Sequence, residues 1–376
     1  MKANTIAFIV REPVGGIWKH IEILIKFFHK NYNIILIGNL ENGDKKFQIF
    51  KKQNPDIEYI NIPISRSPSL SDLYNIIKIK KILNKKKVDI FHGHGAKGGI
   101  YVRILGKICG AKVVYTPHGG SVHPAFGKIS SFLYKIIENM LYFFTDKVVA
   151  ESQYTKNQYL KMLFFQPKVD DKIVLNYNGV KCKNHSINDS GKQTPPFIVS
   201  SFGMLRYEKG QDILILAAKK LLEHGYPIKL NLYGEGEGRE LLEKLIEENA
   251  LHNDVLLCGE TDVVEAEMRR STLVVQPSRF ESFGYVLLEA MCVGIPVIAS
   301  TAGGMPEIIK HDLNGRLFKS ESIEDLAKQI EFTLDNPKRA KLYIKEGKHT
   351  VNSKFSSKAM CQGLEQIYES LLRQPN

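Results

Sequence analysis

Cysteine is scarce: five residues, Cys109, Cys182, Cys258, Cys292 and Cys361, stand far apart in 376 and form no C-x-x-C pair. Odd in number and so spaced, they indicate neither a disulfide framework nor a zinc ribbon, and reduced thiols in a cytosolic setting are expected. Long apolar runs are missing too. No uncharged stretch approaches the roughly 18 residues a bilayer span needs, and the run Thr5 to Val10 is cut off by Arg11 and Glu12 before it reaches signal-peptide length. A cytoplasmic chain that does not span a membrane is expected, with surface attachment left open. Acidic charge is short in one half only: residues 1–190 hold 29 Lys+Arg against 14 Asp+Glu, and the remainder 23 against 26. Such a one-sided basic excess either favours anionic partners or is a solvated face. No nucleic-acid motif accompanies it, so nucleic acid is not an expected partner.

What is present is an alternation of short β-branched runs with amphipathic segments. Ile6 to Val10, Ile34 to Gly38, Ile90 to His92, Val113 to Thr116 and Lys147 to Ala150 read as strands, and Ile17 to Lys30, Ser71 to Lys86 and Lys128 to Phe144 as helices. The polar segment Cys182 to Pro196 then reads as a linker. Beyond it the alternation resumes with strands at Phe197 to Phe202, Lys229 to Tyr233, Val255 to Cys258, Leu273 to Gln276 and Val297 to Ser300. Helices follow at Gln211 to Glu223, Glu237 to Asn249 and Gly284 to Cys292, and Asp325 to Leu372 is helical. This pattern predicts an α/β protein of two doubly wound domains facing a shared crevice, with residues 1–185 in the first, 186–355 in the second, and 356–376 a helix packing back on the first.

The stretch Pro277 to Ile309, PSRFESFGYVLLEAMCVGIPVIASTAGGMPEII, carries most of the chemistry. A strand ends at Pro277, a loop carries Glu281, and a helix opens at Gly284, where glycine lets the first helical N–H groups approach an anion such as a diphosphate. Glu289 lies farther along that helix, so the two carboxylates address different parts of one ligand and are not a close acid/base pair. Ala302-Gly303-Gly304 leads into a second helix near Pro306. Each glycine alone is also explained by a tight turn.

Glu281 and Glu289, seven residues between them, within E-S-F-G-Y-V-L-L-E-A-M and followed by G-I-P-V-I-A-S and G-G-M-P-E-I-I, resemble the nucleotide-sugar site of the retaining family-four glycosyltransferases of the GT-B fold. Weaker marks cover nearly the whole chain: Gly15-Gly16, H-G-H-G-A-K-G-G from His92, T-P-H-G from Thr116, N-G-V from Asn178, F-G-M-L-R-Y-E-K-G from Phe202 and L-Y-G-E-G from Leu232. The resemblance implies two Rossmann-like domains around a central cleft. It assigns the ribose hydroxyls to Glu289, the transferred sugar to Glu281 and His118, and the diphosphate to the backbone at Phe283, Gly284, Tyr285 and Val286. Gly16 approaches the phosphates and Lys209 neutralises them. The family's arginine position holds Met204, and Arg206, two residues on, is the substitute. His92 and His94, spaced i, i+2 without an acidic or cysteine neighbour, read as loop or core polar groups.

The implied reaction moves a hexose or N-acetylhexosamine from a nucleotide diphosphate-sugar, a uridine one by resemblance, to a glycan or a polyprenyl-diphosphate-linked acceptor in bacterial polysaccharide synthesis. No Asp-x-Asp pair is present, only Asp170-Asp171 outside any motif, so no metal and no cofactor are expected, and Lys209, Arg206 and the helix start at Gly284 must stabilise the leaving phosphate. The basic helix Ser71 to Lys86 and the aromatic segment Phe126 to Phe144 are candidates for an anionic membrane surface or a lipid-linked acceptor, although helical spacing also suits the latter to a core. Rival readings are an epimerase of the same two-domain fold and a non-catalytic nucleotide-sugar binder. A dehydrogenase is disfavoured, because Gly234-Glu235-Gly236-Glu237-Gly238 does not make G-x-G-x-x-G.

Overall fold

The computed structural model describes residues 4–67, 69–119, 128–165, 171–183 and 194–373. The chain divides into two compact domains, one of Met1–Tyr177 with Met360–Asn376 and one of Asn178–Ala359. Residues 184–193, the greater part of the linker segment, lie outside the described residues, as do 120–127, where the aromatic segment begins.

In the first domain the order is β1 (Thr5–Val10), α1 (Gly15–Phe28), β2 (Asn33–Gly38), α2 (Lys45–Gln53), β3 (Glu58–Asn61), α3 (Ser71–Leu83), β4 (Ile90–His94), α4 (Gly95–Cys109), β5 (Lys112–Thr116), α5 (Lys128–Tyr142), β6 (Lys147–Ala150), α6 (Gln153–Met162) and β7 (Ile173–Leu175). The strands form one parallel sheet in the order β3-β2-β1-β4-β5-β6-β7. Ile6 to Val10 are buried throughout, as expected of a parallel strand covered on both faces. Helix α1 lays Trp18, Ile21, Leu24, Ile25 and Phe28 into the core, at the spacing of one helical face. Asp44, Ser152 and, in the second domain, Ser322 cap their helices by accepting from the backbone N–H three residues on.

The second domain continues with β8 (Phe197–Phe202), a 3-10 turn (Tyr207–Lys209), α7 (Gln211–Glu223), β9 (Ile228–Tyr233), α8 (Arg239–Glu248), β10 (Val255–Gly259), α9 (Val264–Arg270), β11 (Leu273–Gln276), α10 (Tyr285–Val293), β12 (Val297–Ser300), α11 (Met305–Ile308), β13 (Arg316–Phe318), α12 (Ile323–Asp335) and α13 (Pro337–Lys354). Its sheet is also parallel, ordered β10-β9-β8-β11-β12-β13. The last helix, α14 (Ser357–Leu372), places Met360, Cys361, Leu364, Tyr368 and Leu371 in the core of the first domain. Tyr368 Oη there lies 2.6 Å from His92 Nδ1. Both domains are therefore doubly wound, and the strand order reverses between β1 and β4 in one and between β8 and β11 in the other.

One expectation needs correction. Cys182 and Cys292 are joined in a disulfide, with Cα atoms 5.1 Å apart, where reduced thiols were expected. Separated by 110 residues in sequence, the pair gives no spacing signal. Of the aromatic segment, Leu141 and Tyr142 at the end of α5 are buried, whereas Phe132, Leu133, Met140, Phe143 and Phe144 are exposed. Among the described residues, no helix is long and apolar enough to cross a membrane.

Candidate functional site

Ligands of open parallel α/β sheets bind at the carboxyl ends of the strands where the strand order reverses. In the second domain this point lies between β8 and β11, and the segments leaving those two strands carry the residues singled out in the sequence. Lys209 closes the turn after β8, Glu281 lies in the loop after β11, and Lys209 Nζ donates to Glu281 Oε2 at 2.7 Å. Both side chains are partly shielded, at 23% and 16% exposure, so the pair is neither buried nor freely solvated.

The two loops are tied together by the backbone. The amides of Arg279 and Phe280 donate to Glu208 O at 2.8 and 3.2 Å. The Arg279 guanidinium makes a two-pronged contact with Asp212 at 2.8 and 2.7 Å, reaches Glu321 at 3.0 Å and lies 4.2 Å from the Tyr207 ring centre. Hydrogen bonding to Asp212 outweighs its partial burial and holds the guanidinium charge more firmly than usual. Behind Glu281, Gly304 N donates to Glu281 O at 2.9 Å, and a Cβ on Gly303, where φ is +61°, would lie 1.8 Å from that same oxygen. The Gly303 position is therefore set by close backbone approach, and its consequence is a fixed Glu281.

Gly284, at φ 117°, caps α10, and Tyr285 and Val286 form the first turn. This turn carries the positive end of the helix dipole. Phe283 is buried against Tyr285 and Phe355, with ring centres 5.9 and 5.7 Å away. Glu289 follows on α10 and is partly buried. Met204 is exposed, whereas Arg206 is partly buried and its Nε is shielded without a hydrogen-bond partner. Among the described residues no ion pair engages Arg206.

Gly16 and His118 belong to the first domain. Gly16 is exposed in the first turn of α1. His118, two residues past β5, has a φ of 51°, rare for a residue with a side chain, and its Nε2 lies 3.0 Å from His94 Nδ1. His20 of α1 completes the group, its ring centre 4.8 Å from that of His118 and 5.4 Å from that of His94. Burial, and then the neighbouring imidazoles, push His94 and His118 well below the ordinary histidine range. His92, buried in β4, meets Tyr368 and also lies 2.9 Å from Thr116 Oγ1, which makes it a satisfied core residue as its sequence context suggested. Arg279 and Asp212 escaped sequence reasoning, because a partner 67 residues away leaves no local pattern.

A family model described as Glycosyltransferase Family 4 matches residues 14–184, and one described as Glycosyl transferases group 1 matches residues 183–350. An uncharacterised glycosyltransferase of Methanocaldococcus jannaschii is 28% identical over 370 residues, 95% of each chain. The UDP-Gal:alpha-D-GlcNAc-diphosphoundecaprenol alpha-1,3-galactosyltransferase of Escherichia coli is 26% identical, over 77% of this chain and 79% of its own. A crystal structure of an Anabaena protein in complex with UDP and glucose superposes with a TM-score of 0.83 at 21% identity, covering 98% of this chain and 100% of the other, a likeness in fold. With both halves matched, one by each model, and both domains doubly wound, the chain belongs to the family-four, group 1 glycosyltransferases of the GT-B fold.

Proposed function

We propose that this glycosyltransferase moves a hexose or N-acetylhexosamine from a UDP-sugar to a glycan or polyprenyl-diphosphate-linked acceptor, with retention of anomeric configuration and without a metal. The observation that carries the reading is the Lys209–Glu281 pair at the carboxyl ends of β8 and β11, in the segment that leads into α10. In the donor complex the ammonium and Arg206 meet the phosphates, the amides at Gly284 to Val286 join them, and Glu281 and His118 take sugar hydroxyls. Glu289 holds the ribose, and Gly16 approaches the phosphates.

Breaking the bond from the anomeric carbon to the diphosphate puts growing negative charge on the leaving oxygen. Fixed cations and amide dipoles aimed at that oxygen stabilise it without reorganising, a contribution worth several kcal/mol in a dry site (about 3–4 for a single donor). In a front-face attack that oxygen also accepts the acceptor's proton, so no separate protein base is required. The E. coli relative's lipid-diphosphate acceptor and the UDP in the Anabaena complex support the donor and acceptor classes. The first domain offers an acceptor surface: Leu73, Tyr74 and Ile77 of α3 are exposed on a helix that also carries Lys78, Lys80 and Lys81, the composition of a segment that lies on anionic lipid.

A radiolabelled transfer assay in EDTA, run over a panel of nucleotide-sugars with lipid-linked acceptors, tests this. Product formation with the donor's anomeric configuration is expected. Donor binding without transfer would identify a binder instead, and a strict need for added divalent metal would overturn the metal-free mechanism.

A further inference from the structure

The three histidines His20, His94 and His118 stand together at the carboxyl end of the first domain's sheet, where the strand order reverses between β1 and β4. His94 is the last residue of β4, His20 projects from the helix that follows β1, and His118 from the turn that follows β5. One nitrogen from each lies within 4.8 Å of the other two, and among the described residues no carboxylate or thiol joins them. A cluster of core histidines that served packing alone would have its nitrogens engaged, as those of His92 are with Tyr368 and Thr116. His94 differs: at 1% exposure it uses Nδ1 toward His118 and leaves Nε2 buried with no hydrogen-bond partner. That Nε2 lies on the side of the ring away from His118 and calls for a water; the nitrogen His94 turns into the cluster is Nδ1, and its partner there is another imidazole.

We propose that His20, His94 and His118 form a site for a divalent transition-metal ion of the zinc type, each giving one imidazole nitrogen and leaving a coordination position open. Imidazole donors without carboxylates select zinc, copper, nickel and cobalt over magnesium or calcium. Nitrogens on a tetrahedral ion with bonds of about 2.0–2.1 Å stand about 3.3 Å apart. His94 and His118 are already at 3.0 Å, so small ring rotations complete the set. The ion is not part of the transfer chemistry. It takes the imidazole that the proposed donor site needs from His118, so zinc lowers turnover and a chelator restores it; this last consequence alone rests on the reading of His118 as a donor contact.

The full chain, stripped with chelator and desalted, is titrated with Zn2+ by equilibrium dialysis and with Co2+ by visible absorption. One tight equivalent is expected, with cobalt bands of a nitrogen-ligated tetrahedral ion and no sulfur-to-cobalt charge transfer. His20→Gln and His94→Gln should each weaken zinc by at least about tenfold, the loss that even an outer-shell change brings. Should those variants fail to fold, zinc K-edge absorption of the zinc-loaded wild-type chain replaces them, and a shell of imidazole nitrogens at about 2.0–2.1 Å without sulfur is expected. No stoichiometric binding, undiminished binding by folded variants, a thiolate band or a sulfur-containing shell would each overturn the site. Stoichiometric binding with full turnover would uphold the metal site and remove His118 from the donor.

Discussion

Lys209 and Glu281, 72 residues apart in sequence, are joined by a 2.7 Å hydrogen bond where the second domain's strand order reverses. In the proposed donor complex this bond opens, a phosphate replacing the carboxylate on Lys209 and a sugar hydroxyl replacing the ammonium on Glu281.

Lys209→Ala is therefore expected to reduce kcat by about 100- to 1000-fold, the usual loss when one fixed donor to a developing oxyanion is removed. Circular dichroism should be unchanged, because the side chain is outside the core. Steady-state kinetics with the identified donor decide; near-normal kcat would remove Lys209 from the leaving-group role.

Gly303→Ala tests the backbone behind Glu281. A left-handed backbone costs an alanine about 1–2 kcal/mol, and that alone is expected for Gly225→Ala, where φ is +83° and no atom lies within 4 Å of the added Cβ. At Gly303 the Cβ would also overlap Glu281 O, so the Glu281 loop must move. Misplacement on the order of 1 Å should lower kcat/KM by about 100-fold, while Gly225→Ala keeps wild-type kinetics. Thermal unfolding and kinetics of the two variants separate the effects, and equal kinetics would contradict the account.

Arg103 and Glu138 form a buried pair at 2.8 Å in the first domain, with exposures of 0% and 2%. Tyr159 donates to Glu138 at 3.1 Å, and the guanidinium lies 4.0 Å from the Tyr115 ring centre. Arg103→Ala leaves a buried carboxylate unpaired and should destabilise the domain by about 3–5 kcal/mol. The double change Arg103→Met with Glu138→Leu should recover much of that loss in denaturant unfolding, and no recovery would show that the pair does more than neutralise itself.

The buried histidines make the first domain sensitive to acid. Burial holds His92, His94 and His118 well below the ordinary value in the folded state, so on acidification the unfolded chain protonates first, near pH 6.5. Above that pH both states are neutral and nothing is lost; below it, stability falls by up to about 1.4 kcal/mol per pH unit for each histidine that stays neutral. Denaturant unfolding in EDTA at pH 7.5 and 5 should show this fall, and equal stability at the two would contradict the neutral assignment.

Much of this architecture was legible because parallel strands buried on both faces appear in sequence as unbroken apolar runs, as in Ile6 to Val10 and Val297 to Ser300. What went unread has physical causes. Strands β3, β7 and β13 are edge strands of four, three and three residues, too short to show a period. Helix α4 is hidden by glycines that bring it close to the sheet: a Cβ on Gly98 would lie 2.3 Å from Ile9 O, and one on Gly99 2.3 Å from the Tyr115 ring. These glycines give the H-G-H-G-A-K-G-G run a packing role. Lys209 and Glu281 were legible because each lies in a local motif; Arg279–Asp212, Cys182–Cys292 and the histidine cluster were not, because they exist only after strand order brings distant loops together.

The most direct test of the central claim is a crystal structure of the chain with a UDP-sugar that supports turnover or slow hydrolysis. The expected result places the pyrophosphate at the first turn of α10 with Lys209 and Arg206 on its oxygens and Glu281 drawn from Lys209 to a sugar hydroxyl. A nucleotide bound elsewhere, with the Lys209–Glu281 bond intact, would contradict it.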